Sequence, residues 1–148
     1  MKNKGFSLIE LIIVIAIMAI MAGFLAPALV KYINKSRLSV DIDTGRTLAT
    51  AIMSALVDEN ARDGAQVHDG DPQNVKDLED AAFKQAVFDI AKIDTLEGKS
   101  KKAVDGDTLD QQFYYTLDPA KNKVEIYYGG KTQGHMVYPQ TGNKLIDQ

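Results

Sequence analysis

Twenty consecutive residues without a charge, Leu11 to Val30 (LIIVIAIMAIMAGFLAPALV), constrain this chain more than any other stretch. As a helix the run is about 30 Å long, which matches the hydrocarbon core of a bilayer. A cleavable secretory signal has an apolar core of about 7–15 residues, so this run is long enough to stay in a membrane. Ala26-Pro27-Ala28 does carry the small-residue pattern of a signal-peptidase site, and an ordinary cleaved signal is the competing reading. Lys2 and Lys4 precede the run, which places the N-terminus on the cytoplasmic side and the remainder outside. An anchor of this kind leaves about 115 residues for a soluble part.

That soluble part has no cysteine, so it has neither a disulfide framework nor a Cys-ligated metal to stabilise it. Its stability must come from a packed core or from neighbouring subunits. The formal charge of −3, with no basic cluster beyond the N-terminus, gives no sign of a nucleic-acid-binding surface.

Glu10 stands at the mouth of the apolar run. An ionised residue at mid-membrane costs about 2.5–3.5 kcal/mol, and less near an interface. No Lys, Arg or His follows it until Lys31, roughly 31 Å along a straight helix. A counter-charge must therefore come from another chain or from a positive group newly made nearby. The plainer alternative is that Glu10 lies at headgroup level and is solvated there.

A short basic leader ending in glycine, then GFSLIEL, then an unbroken apolar helix, resembles the N-terminal signal of type IV pilins and pseudopilins. The resemblance covers roughly residues 1–58 and is specific over 4–14. It implies that a membrane prepilin peptidase and methyltransferase cuts after Gly5 and methylates the new amine of Phe6. It also implies that Glu10 and Pro27 are assembly positions. The partners it implies are further copies of the chain, an inner-membrane assembly platform, and membrane lipid before assembly. A subunit of this kind is a single-pass membrane protein first and part of a cell-surface pilus afterwards, with no cofactor. Cleavage would leave a cationic α-amine about four residues from Glu10. Among staggered helices that amine can meet Glu10 of an adjacent copy, and two charges in a greasy environment each need the other. Such a pair sets axial register, as a lone polar residue does in a coiled-coil core.

Beyond Val30 the periodicity predicts that the helix continues. Leu38, Ile42, Gly45, Ala49, Ile52 and Leu56 recur at spacings of four and three, while Asp41, Asp43, Arg46 and Thr50 fill other faces. Gly23 and Pro27 mark a kink or a locally unwound stretch. The expected fold class is α+β: a long N-terminal helix packed against a head with one further helix and an antiparallel sheet. The expected division is a leader 1–5, an assembly helix 6–30, its amphipathic half 31–58 and a head 59–148. Within the head, Asp71-Pro72 reads as the start of a helix over about 72–97 with a stripe of Val75, Leu78, Ala82, Ala86, Ile90 and Ile93. Strands follow over about 111–139, in QFYYTL, KVEIYY and GHMVYP, with an outer face carrying Tyr114 and Tyr127.

Candidate chemistry in the head is thin. Asp105, Asp107 and Asp110, or Asp69 and Asp71, offer oxygens to a cation, but neither group has EF-hand spacing and Asp-Gly pairs more often form turns. His68 and His135 read as surface loop residues, and no nucleophile elbow or phosphate loop is present. An enzyme is not expected. The leading expectation is a type IV pilus subunit serving adhesion, motility or DNA uptake. The alternatives are a pseudopilin of a type II secretion or competence system, and a membrane-anchored binding domain that does not polymerise.

Overall fold

In the computed structural model of the chain, residues 6–68, 70–93 and 96–146 are described, Asn60 by its backbone alone. The leader residues 1–5 and Asp69 lie outside them. Helix α1 spans Leu8–Ala55, and the chain divides into two compact units between Ile33 and Asn34. The first unit is the apolar helix, described below with the candidate site.

The second unit is built on the rest of α1. The predicted stripe is buried in full: Leu38, Ile42, Gly45, Ala49, Ile52 and Leu56 all face the core, joined by Leu48, Ala51 and Ala55. Asp43, Arg46 and Thr50 stay outside. Hydroxyls along this half donate back to carbonyls one turn earlier, Thr44 to Val40 at 2.9 Å and Thr47 to Asp43 at 2.9 Å, so they need no other partner.

A four-stranded antiparallel meander lies against this face, in the order β1 (Gln73–Asn74), β2 (Phe113–Asp118), β3 (Lys123–Tyr128), β4 (Met136–Tyr138). Phe113, Tyr115 and Leu117 of β2 alternate into the core with Val124, Ile126 and Tyr128 of β3, as their period-2 pattern predicts. Gly45 is what lets the sheet come so near. A Cβ there would stand 2.7 Å from Val137 Cγ1 and in ordinary contact, 3.4 Å, with Ile126 Cγ2, so any side chain must displace Val137 of β4. Gly45→Val is expected to lower the stability of this unit by about 2–3 kcal/mol, since overpacking outweighs any gain in helix propensity. Thermal unfolding of a fragment beginning at Lys31 checks it, and an unchanged midpoint would refute the close fit.

Several sequence expectations need correction. Asp71-Pro72 starts no helix; the chain instead runs extended into β1, whose residues pair Gln73 with Tyr115 and Asn74 with Tyr114. A 3-10 turn (Val75–Asp77) follows, capped by the Asn74 side chain at 2.9 Å from the Lys76 amide. Helix α2 is a single turn at Glu59–Arg62, and the further helix of the head, α3, covers only Ala81–Ala91. Asp80 caps α3 by accepting from the Phe83 amide at 2.7 Å, and Lys92 closes it in the left-handed region. The buried stripe of α3 is Phe83, Val87 and Ala91, one position later than predicted, because the cap at Asp80 sets the phase. Asp41 does not belong to the polar face either, as it is 2% exposed. Nor does the outer face of the sheet stand open. Tyr127, 3% exposed, sits between its cross-strand neighbours Tyr114 and Met136, and its hydroxyl donates to Glu125 at 2.9 Å. Burial and then the Glu125 carboxylate push the Tyr127 phenol up to about 12.

The Asp41 carboxylate closes the core at the Asn34 end of the unit. Its two oxygens accept from the Lys99 amide at 2.8 Å and the Ser100 amide at 2.7 Å. Ser100 passes the connection on. Its carbonyl accepts from the Tyr128 hydroxyl at 2.6 Å and its hydroxyl contacts Asn34 at 3.0 Å, while Asn34 donates to the Lys102 carbonyl at 3.1 Å. Gly98 makes room for this, because a Cβ there would lie 2.1 Å from the Tyr128 ring. Among the described residues no buried side-chain polar atom lacks a partner.

Candidate functional site: the apolar helix and its first carboxylate

Four consecutive residues sweep most of the way round a helix, so their exposures test whether any face is covered. Leu11, Ile12, Ile13 and Val14 are exposed by 53%, 52%, 52% and 43%. The segment is thus apolar on every side, with nothing packed against it in the isolated chain. It is the one helix among the described residues long and apolar enough to cross a membrane. A helix hydrophobic all round must be enclosed by lipid or by other helices, and each large apolar side chain so enclosed gains roughly 1.5–3 kcal/mol.

Glu10 sits in the first turn of α1. One of its oxygens accepts from the Ser7 amide at 2.8 Å, and the Ser7 hydroxyl lies 3.4 Å from the Ile9 amide. This approximates the capping box, with the Ser7 hydroxyl on the second helical amide rather than the third, and its signature Ser-x-x-Glu stands in the sequence at residues 7–10. The carboxylate is therefore hydrogen-bonded on its own chain and lies at the positive end of the helix dipole. It has gained a donor but, among the described residues, no counter-ion. Phe6, two residues before the helix, is exposed.

Pro27 lies inside α1, and the helical backbone runs unbroken through Gly23 and Pro27. The isolated chain thus adopts no unwound stretch there. Proline brings no amide, however, so the Gly23 carbonyl one turn earlier receives no helical hydrogen bond.

The head brings together only part of its acidic loop. Asp105 and Asp107 both engage the Lys144 ammonium, Asp105 at 3.0 Å. The Asp107 amide and then Lys144 hold the Asp105 carboxyl below its usual range. Asp110 turns elsewhere, accepting from the Tyr114 hydroxyl at 2.5 Å and the Gln112 amide at 2.9 Å. No group of three His, Asp or Glu side chains is placed to hold a metal among the described residues. His68 is less loose than its loop suggests: its amide donates to the Leu117 carbonyl at 2.8 Å and its ring meets Tyr115 edge-on. His135 lies 2.9 Å from the Thr132 hydroxyl, and partial burial holds its pKa down.

Residues 1–26 match the family described as the prokaryotic N-terminal methylation motif. Over 146 residues the chain is 34% identical to a type IV major fimbrial protein FimA of Dichelobacter nodosus strain VCS1703A, covering 97% of this chain and 78% of that protein. It is 35% identical over 147 residues to another FimA of Dichelobacter nodosus, with the same coverage. A type IV major alpha-pilin of Moraxella bovis is 47% identical over 54 residues, about a third of each chain (34%). No solved structure matches the chain.

Proposed function

The chain belongs to the type IV pilin family, and on that premise we propose that it is cut between Gly5 and Phe6, methylated on the Phe6 amine and polymerised through α1. It is a structural subunit of a pilus, anchored in the membrane before assembly. The observation that carries the finer reading is a helix apolar on every face whose only ionised group over residues 6–30 is Glu10. A helix of that kind suits two environments in turn, lipid before assembly and like helices afterwards. In this reading residues 1–5 are the leader, 6–30 the assembly helix, 31–58 its amphipathic half and 59–148 the head displayed outside. The N-terminus faces the cytoplasm, where the peptidase and methyltransferase and the assembly platform act on it. Glu10 leaves the Ser7 amide, or shares it, to meet the Phe6 amine of a neighbour in the filament. Two uncompensated charges in an apolar core would each cost several kcal/mol, so the pairing selects one stagger of adjacent helices.

Deletion of the coding sequence is expected to remove surface filaments, and its return to restore them. Mass analysis of the filament protein should find a chain that begins at Phe6 and carries one added methyl group. A mature chain beginning after Ala28 would overturn the reading.

A further inference from the structure

Several cations of the second unit are matched with acids. Lys76 meets Glu97, Lys121 meets Asp118, Lys123 meets Glu125, Lys144 meets Asp105 and Asp107, and Arg46 meets Asp43. Among the described residues no carboxylate faces Arg37, Lys99, Lys101 or Lys102, and all four are exposed. The fold gathers them. Asp41 and Asn34 grip the backbone of residues 99–102 and hold the three lysines against the Asn34 end of the unit. Arg37, three positions after Asn34, lies on the same side of the helix. The acids that follow in the chain, Asp105 and Asp107, are already taken by Lys144. The sequence shows the lysine-rich stretch 99–102 but not its approach to the helix that carries Arg37.

Two observations say what covers this basic collar. Asn34 follows Val30, the last residue of the apolar run, by four residues of chain, which reach at most about 14 Å in any arrangement. Lys31, Lys35 and Arg37 also crowd the flank after the apolar run, against only Lys2 and Lys4 before it. Cations on an exported flank oppose its export, so their presence there serves something other than orientation. We infer that the collar of Arg37, Lys99, Lys101 and Lys102 docks the head on the phosphates of anionic lipids at the outer surface of the membrane that holds the unassembled subunit. This rests on the exported head of the proposed function. Basic residues beside an anionic bilayer each strengthen binding by roughly fivefold. Pulling a subunit into a filament then requires lifting the collar from the lipid.

The absence of cysteine allows a clean test. Thr108→Cys places one thiol at an exposed position paired with Lys102 through the backbone. The full chain, labelled there, is reconstituted into phosphatidylcholine vesicles with or without phosphatidylglycerol, each holding a headgroup-labelled acceptor lipid. Energy transfer is expected to rise with phosphatidylglycerol at low salt and to fall back to the neutral-vesicle value near 1 M salt, where the screening length is about 3 Å. The triple substitution Lys99→Gln, Lys101→Gln, Lys102→Gln removes only exposed side chains, so its thermal midpoint should match the parent while its lipid response disappears. Equal transfer in the two vesicles, or a response that survives the triple substitution, overturns the inference. A lipid response in a chain that builds no filaments would instead fell only the assembly reading.

Discussion

A fragment beginning at Lys31 and carrying Asp41→Asn is expected to lose about 3 kcal/mol of stability, seen as a drop in the urea midpoint. The carboxylate receives two backbone amides, from Lys99 and Ser100, one on each oxygen. Asparagine offers one carbonyl oxygen and turns an NH2 group towards the second amide. A hydrogen bond to a charged acceptor is worth about 1.5–3 kcal/mol, and a buried amide left without an acceptor adds its own penalty. Asp43→Asn, on the exposed side of the same helix, should move the midpoint by no more than about 0.5 kcal/mol. Equal effects at the two positions would mean that the clasp contributes nothing beyond surface charge.

Glu10→Val is expected to reduce assembled filaments at least tenfold while leaving membrane insertion and cleavage at Gly5 intact. Insertion should even ease, since a charge leaves the segment. Assembly should fail because an incoming Phe6 amine would be buried without a counter-charge, a cost of several kcal/mol. The capping box supplies the control that the charge hypothesis needs. Glutamine serves at the third position of such a box as well as glutamate does, so Glu10→Gln keeps the Ser7 hydrogen bond and removes only the charge. Glu10→Gln should therefore fail nearly as badly as Glu10→Val when filaments sheared from cells are weighed. Normal filament yield from Glu10→Gln would mean that Glu10 caps the helix and pairs with nothing.

These two residues also mark how far the sequence could be read. Glu10 was conspicuous because charge inside a hydrocarbon run is expensive, and local spacing carries that signal. The stripe from Leu38 to Leu56 and the alternation in β2 and β3 were legible for the same reason: each is a periodic pattern within one element. Asp41 was not legible. Its burial depends on amides nearly sixty residues away (58 and 59 positions), and no window of sequence contains both ends. The phase of α3 differs by one residue because the apolar positions before Asp80, Val75 and Leu78, belong to a 3-10 turn and the non-helical residues after it, not to the helix. The burial of Tyr127 is not legible either, because the period of two says which face a side chain takes but not whether neighbours cover that face. The basic collar was hidden because its members lie in two separate segments that only the Asp41 clasp brings together.

The contact of Gly45 with Val137 has a consequence for the order in which the chain is made. The apolar stripe that begins at Leu38 emerges first, yet Val137, on the strand that covers it at Gly45, follows Gly45 by 92 residues (137 − 45). At about 5–20 residues per second, roughly 5–20 s separate the two. Throughout that interval the stripe lacks the cover that β4 gives it at Gly45, and contacts so distant in sequence form late. The second unit therefore completes its packing at Gly45 only when β4 arrives. The helix, made first, waits on one of the shortest strands of the sheet.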